Sequence, residues 1–375
     1  MSEATERVIS GLEGVLACES QIAYIDGSAP ELSYRGYDIA DVVRALSYEQ
    51  VVFLLWHDRI PQGEELRAFE AELASLRPVP QSVLEMLKAL PASAHPMASL
   101  RTAVSMLGAL DERAEDCSPP ELLRKAKTLT AQLPTLVAAQ ARLHRGLAPI
   151  APDPSLSHAA NYAYMLSGER PDVTTARTLE TALILYAEHE TNASTFACRV
   201  VVGTQSDYYS AVVAGIGALK GPLHGGAIDD VMRMLMDIGA PERAAAYVDE
   251  ALAAKRKLPG FGHRVYRAGD PRAALLRGMA QQLSAARGDE KWFAIATAAE
   301  QRMRQSKGII PNVDYYAAPV FYHLGVPLNL FTNVIASTRI VGWSAHIMEQ
   351  YANNRLIRPR ALYTGPRGRK LNVAS

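Results

Sequence analysis

The chain has 375 residues, and its 39 Lys plus Arg are matched by 39 Asp plus Glu. The zero formal charge excludes the basic excess of a sequence-independent nucleic-acid binder, and the length predicts two domains or one large one. A hydrophobic fraction of 49% with 21% charged residues predicts a folded globular chain, and 25 Gly with 22 Pro excludes a collagen-like or low-complexity one.

The opening Met1–Arg7 stretch is acidic and polar and lacks the pattern of a signal peptide. Gln21–Gly27 alternates weakly and ends on a turn pair, which predicts a short N-terminal hairpin. Ser47-Tyr48-Glu49-Gln50 has the spacing of a capping box ahead of Val51, Leu54 and Leu55. Leu147–Pro154 reads as a loop. Over 175–187, Leu179, Ala182, Leu183 and Tyr186 form one apolar stripe of a helix. A further apolar helix begins near Ala227, and another starts at Pro241-Glu242 and runs to the cations Lys255-Arg256-Lys257, where Leu258-Pro259-Gly260 stops it. Gly365–Gly368 reads as a second loop. The chain is therefore expected to be mainly α, with no repeat and no pattern-marked domain boundary. No stretch has the 18 or more uncharged apolar residues of a membrane span, and Cys18, Cys117 and Cys198 make no disulfide framework. A cytoplasmic protein is expected.

Familiar chemical motifs are missing. His189-Glu190 begins like HExxH, but position 193 is Ala, and no His/Cys cluster has metal-ligand spacing. There is no GxSxG, and Gly260-Phe261-Gly262-His263 lacks the strand and third glycine of a dinucleotide turn.

Three segments remain. In Lys220-Gly221-Pro222-Leu223-His224-Gly225-Gly226 a histidine sits among glycines before a helix, suited to a neutral hydrogen-bond donor or, equally, to a simple cap. In Leu258–Arg272 the glycines flanking Phe261 allow close backbone approach. His263 is followed there by Arg264, Arg267 and Arg272, a pattern for gripping a polyanion or a solvated basic loop. In Gly308–Tyr316, Asp314 has apolar and aromatic neighbours that would raise its basicity, and an N-capping role is the alternative.

Taken in order, these segments resemble the citrate synthase family over nearly the whole chain. Gly11–Val15, Tyr24–Gly27, Tyr34–Tyr37, His95-Pro96-Met97 with Leu100-Arg101, Ala151–Pro154, His189–Ser194, Pro311–Asp314 and Arg358-Pro359-Arg360 all fit its pattern. The length resembles the family's short, dimeric form. The resemblance implies an almost all-α, two-domain fold. A large domain would span 1–225 and 329–375, and a small domain at 226–328 would close over the substrates. It implies condensation of acetyl-CoA with oxaloacetate and thioester hydrolysis to citrate and CoA, or 2-methylcitrate formation from propionyl-CoA, with no metal or other cofactor.

By the same resemblance, Asp314 is the general base, His224 stabilises the enol or enolate, and His263 polarises the ketone of oxaloacetate. His189, Arg272 and Arg339 are oxaloacetate ligands, and Arg358 is supplied across a homodimer interface. Arg267 contacts coenzyme A phosphate, with Lys257 and Lys307 as further contacts. Ile228-Asp229-Asp230 departs from the Asn and Glu found after the histidine in many members, which puts the tuning of that histidine at issue.

Overall fold

A computed structural model describes residues 8–91, 93–263 and 265–370; the Met1–Arg7 stretch and Arg264 lie outside them. Strands β1 (Ala23–Asp26), β2 (Glu31–Tyr34) and β3 (Tyr37–Asp38) form one antiparallel sheet. The register pairs Ala23 with Tyr34 and Asp26 with Glu31, then Tyr34 with Tyr37. The expected hairpin is therefore present and gains a third strand.

The helices of the first half are α1 (Ile39–Ala45), α2 (Tyr48–His57), α3 (Gly63–Ser75), α4 (Gln81–Ala89), α5 (Pro96–Leu110), α6 (Pro119–His144), α7 (His158–Ser167) and α8 (Val173–Ala187). Those of the second half are α9 (Ala193–Gly203), α10 (Tyr208–Leu219), α11 (Ala227–Ile238), α12 (Ala244–Ala253), α13 (Pro271–Arg287), α14 (Lys291–Lys307), α15 (Val313–His323) and α16 (Phe331–Ala352).

Local chemistry explains many of the starts. Ser47 and Gln50 make the predicted reciprocal capping box, and Asp172, Asn192, Asp207, Asp270 and Asn312 each accept a first-turn N–H. One expectation is corrected: Pro241–Arg243 forms a single 3-10 turn, and α12 runs only from Ala244 to Ala253. Its end is a Schellman arrangement, with Lys255 N–H bonded to Leu252 O and Arg256 N–H to Ala251 O. Lys255 takes φ +54° there, so the three cations lie beyond the helix.

The buried apolar residues make one continuous core. Long α16 packs along α6, α8 and α9, and Trp343, fully buried, lies at its centre. Helices α11 to α15 pack chiefly on each other, through α13 on α15, α11 on α15 and α12 on α14, with α13 also touching α8. Among the described residues no helix is long and apolar enough to cross a membrane.

Candidate active site

Each side chain of interest is delivered by a helix end. Helix α8 stops at Ala187; Glu188 is extended, and Glu190 takes the left-handed φ of +52° that turns the chain into α9. Asn192 caps α9 by accepting the N–H groups of Ser194 and Thr195. His189 is buried between the two helices, and its Nε2 has no hydrogen-bond partner among the described residues.

His224 lies in the loop between α10 and α11. A Cβ at Gly225 would come within 2.5 Å of Leu219 O and 2.9 Å of Thr332 Cγ2, so only glycine lets the loop fold this tightly. The Ser194 N–H points at His224 Nε2 over 3.3 Å, and Ser194 Oγ lies 2.9 Å from the same nitrogen. A backbone donor aimed at Nε2 makes it an acceptor and leaves the neutral ring's proton on Nδ1. Ser194 Oγ also accepts from Trp343 Nε1 at 3.1 Å. Burial, then the nearby Arg339 charge, lowers His224 to about 4. The neutral ring expected from sequence is present, but desolvation and not a helix dipole is the main cause. His224 does not cap the helix that follows it: α11 begins at Ala227, and its N-cap position, Gly226, supplies no side-chain cap. Behind it, Ile228 is fully buried. Asp229 has one carboxylate oxygen buried without a hydrogen-bond partner among the described residues and is pushed up to about 7, mainly by burial.

Two distant loops are zipped together. Asn312 N–H donates to Gly260 O at 2.9 Å, Gly262 N–H to Ile310 O at 3.3 Å, and Asn312 Nδ2 to Gly262 O at 2.9 Å. Gly260 has φ +77°, and a Cβ there would strike Tyr315 and Val231 at 2.8 Å. This ties His263 to the start of α15, where Asn312, and not Asp314, is the cap, accepting the Asp314 N–H at 3.0 Å. His263 Nδ1 accepts from the N–H groups of Val265 and Tyr266 at 3.0 and 3.1 Å, so Nε2 carries its proton. Burial and then Arg272 lower it to about 4.

Asp314 Oδ1 accepts from the Tyr186 hydroxyl at 2.7 Å. Burial raises its basicity, while that hydrogen bond and the Arg272 and Arg339 charges partly oppose the rise. Arg272 is 2% exposed and makes a forked pair with Asp270, Nε to Oδ1 at 2.9 Å and Nη2 to Oδ2 at 2.8 Å. Asp270 Oδ2 also accepts the Val313 N–H at 3.0 Å, which locks the arginine to the helix that carries Asp314. Arg339, on α16, donates from Nε to Tyr186 O at 2.7 Å. Burial, and then the Arg272 and Arg339 charges, hold His189 well below the ordinary histidine range.

One cavity of about 760 Å³ is lined by His189, His224, His263, Arg272, Asp314 and Arg339. Tyr186, Asn192 and Asn312 also line it, as does the N-terminal segment 11–18. Arg267, Lys257, Lys307 and Arg358 are exposed and do not line it. Sequence reasoning missed Tyr186 as a partner of Asp314, because a tyrosine on an apolar stripe reads as core; its polar tip was the available signal. Asp270 was seen only as part of a basic run, and Ser194 only as part of a motif.

Two neutral imidazoles with opposite tautomers, a carboxyl of raised basicity and two buried guanidiniums thus face one space. Proton abstraction from carbon, beside groups that stabilise oxyanions, defines the class: a condensing acyltransferase. The family model for the C-terminal domain of citrate synthase matches residues 11–360. A citrate synthase of Haloferax volcanii is 49% identical over 95% of each chain. A 2-methylcitrate synthase of Mycobacterium tuberculosis is 43% identical over 96% of this chain and 91% of its own. The structure of the Thermoplasma acidophilum citrate synthase in ternary complex with carboxymethyl coenzyme A and oxaloacetate superimposes with a TM-score of 0.93 at 33% identity, covering 98% of both chains. The chain belongs to the citrate synthase family.

Proposed function

We propose that the chain condenses acetyl-CoA with oxaloacetate and hydrolyses the resulting thioester to citrate and CoA. The observation that carries the reading is the convergence of Asp314, His224 and His263 on one cavity, with Arg272 and Arg339 in its wall. His189, Arg272 and Arg339 hold the dicarboxylate, and Arg358 from a second copy of the chain completes the grip. Asp314 removes a proton from the carbon alpha to the thioester. His224 donates its Nδ1 proton as a hydrogen bond to the thioester oxygen, stabilising the enol or enolate. His263 points its Nε2 proton at the ketone and transfers it to the alkoxide formed as the new carbon–carbon bond closes. Water then cleaves the carbon–sulfur bond, giving a carboxylate and the CoA thiol. The reaction as written balances without a resident cofactor. Arg267, Lys257 and Lys307 serve the coenzyme A phosphates, and 226–328 moves as a unit that closes over the bound substrates.

Propionyl-CoA is the second reading, supported by the Mycobacterium tuberculosis relative. One methylene in an apolar pocket is worth only about 1–3 kcal/mol of discrimination. The test is CoA release with oxaloacetate over a concentration series of each thioester. A higher kcat/KM with acetyl-CoA is expected; a higher value with propionyl-CoA reassigns the activity, and turnover with neither defeats it. Asp314→Asn in the same assay should lose roughly 10²–10⁴-fold in kcat, as expected for a general base. Near-full activity would remove Asp314 from that role.

A further inference from the structure

Behind His189 runs a chain of buried charged groups that contacts neither the cavity nor the reacting atoms. Glu188 and His346 are fully buried and Arg199 is 2% exposed. His346 Nδ1 accepts from Arg199 Nε at 2.9 Å, and His346 Nε2 lies 3.0 Å from Glu188 Oε1. Because the guanidinium can only donate, Nδ1 is the acceptor, and the Nε2 proton goes to Glu188. Arg199 also bonds Gln350 Oε1 at 3.0 Å and pairs with Glu349. Glu349 Oε1 in turn accepts the Gln21 N–H at 2.9 Å and the Ser20 hydroxyl at 3.3 Å. Ser20 and Gln21 lie two and three residues beyond segment 11–18, which walls the cavity.

The inner end of this chain bears on one residue. Glu188 immediately precedes His189, and its carboxylate rests on the bare backbone of α16: a Cβ at Gly342 would lie 2.0 Å from Glu188 Oε2. The Glu188 N–H donates to the Tyr34 hydroxyl at 3.1 Å, and that hydroxyl donates back to the Glu188 carbonyl at 2.9 Å. On the far side of His189, Glu190 has φ +52°, a left-handed geometry that persists only where its surroundings enforce it. His189 is thus fixed on both sides, while its Nε2 has no hydrogen-bond partner among the described residues. We infer that Glu188, His346, Arg199 and Glu349 are positioning residues: together they set the place of the His189 imidazole and so the affinity for the dicarboxylate substrate. This rests on the reading of oxaloacetate as the His189 ligand.

The experiment uses the full chain, with KM for oxaloacetate and for acetyl-CoA measured separately and thermal melts alongside. His346→Leu keeps the bulk and removes both hydrogen bonds. Its KM for oxaloacetate should rise about ten-fold or more, with the acetyl-CoA KM within about two-fold of wild type. His346→Gln offers one acceptor to Arg199 and one donor to Glu188, and should restore the oxaloacetate KM to within about three-fold. An unchanged oxaloacetate KM in a folded Leu variant overturns the inference. So does a Gln variant as impaired as Leu, or a uniform loss in both KM values and kcat. If the Leu variant does not fold, Glu349→Gln at the partly exposed outer end decides. A rise of roughly two- to five-fold in oxaloacetate KM alone supports the inference, and no rise overturns it. Wild-type protein without oxaloacetate-dependent turnover would defeat the functional reading itself; wild-type turnover with unshifted variants defeats only the positioning role.

Discussion

The hydroxyl of Tyr186 makes the one polar side-chain contact to Asp314 found among the described residues, at 2.7 Å. It stabilises the carboxylate and so lowers its basicity against the larger rise from burial. Removing it with Tyr186→Phe should therefore push the Asp314 carboxyl further up. A general base works deprotonated, so the acidic limb of kcat/KM should move to higher pH, with activity lost first below that limb and the plateau kept. A profile from pH 5 to 9 checks this, and a limb that stays or moves down contradicts it. His224 and His263 are both lowered to about 4, so neither ring should add a second limb near neutrality. At this scale sequence reading went far for single residues and less far for pairs. The histidines, arginines and Asp314 stand out by type and neighbours, and Asn312 takes the cap that sequence offered as the alternative role of Asp314. Tyr186 lies 128 positions from Asp314, and no local pattern encodes a contact of that span.

Elements were most legible where the signal is local chemistry. The Ser47–Gln50 capping box and the apolar stripe of 175–187 became α2 and α8, because both rest on groups within a turn of each other. The third strand was missed because its turn, Arg35-Gly36, has φ +49° and +82° and puts an arginine where Asn or Asp is the usual sign. The helix from Pro241 was drawn too long because cations near its end were taken as dipole partners. The chain instead leaves the helix through Lys255 at φ +54°. A side chain in that conformation carries a steric cost that glycine avoids, so Lys255→Gly should stabilise the fold by up to ~1 kcal/mol. The Lys255 side chain is exposed, so its removal uncovers no buried site. A Tm rise of about 2 °C is expected from that energy in a chain of this size. An unchanged or lower Tm would mean that the unfolded-state entropy of glycine outweighs the relief.

For the whole molecule, the zero net charge conceals a strong internal asymmetry. Residues 1–26 carry five acids and one base, whereas 355–370 carry six bases and no acid. The cavity itself is lined by Arg272 and Arg339, one from each side of the boundary proposed at 226–328. His263 and Asp314 belong with Arg272 in that segment, and His189 belongs with Arg339 outside it. Arg272 is paired with Asp270, and its charge still bears on Arg339. A dicarboxylate between them would give both guanidiniums a shared ligand, and so draw 226–328 down. Hydrogen exchange followed by mass spectrometry tests this on the intact chain. Saturating oxaloacetate should slow exchange in 258–272 and 308–314, whose zipped loops carry His263, Arg272 and Asp314. Helices α6 and α16, buried in the core, should already exchange slowly and change little. Protection confined to 188–192 would mean that the ligand binds without closure, and the 226–328 unit would then have to be redrawn. Equal protection across α12, which lines none of the cavity, would instead indicate global stabilisation by mass action and not a closing motion.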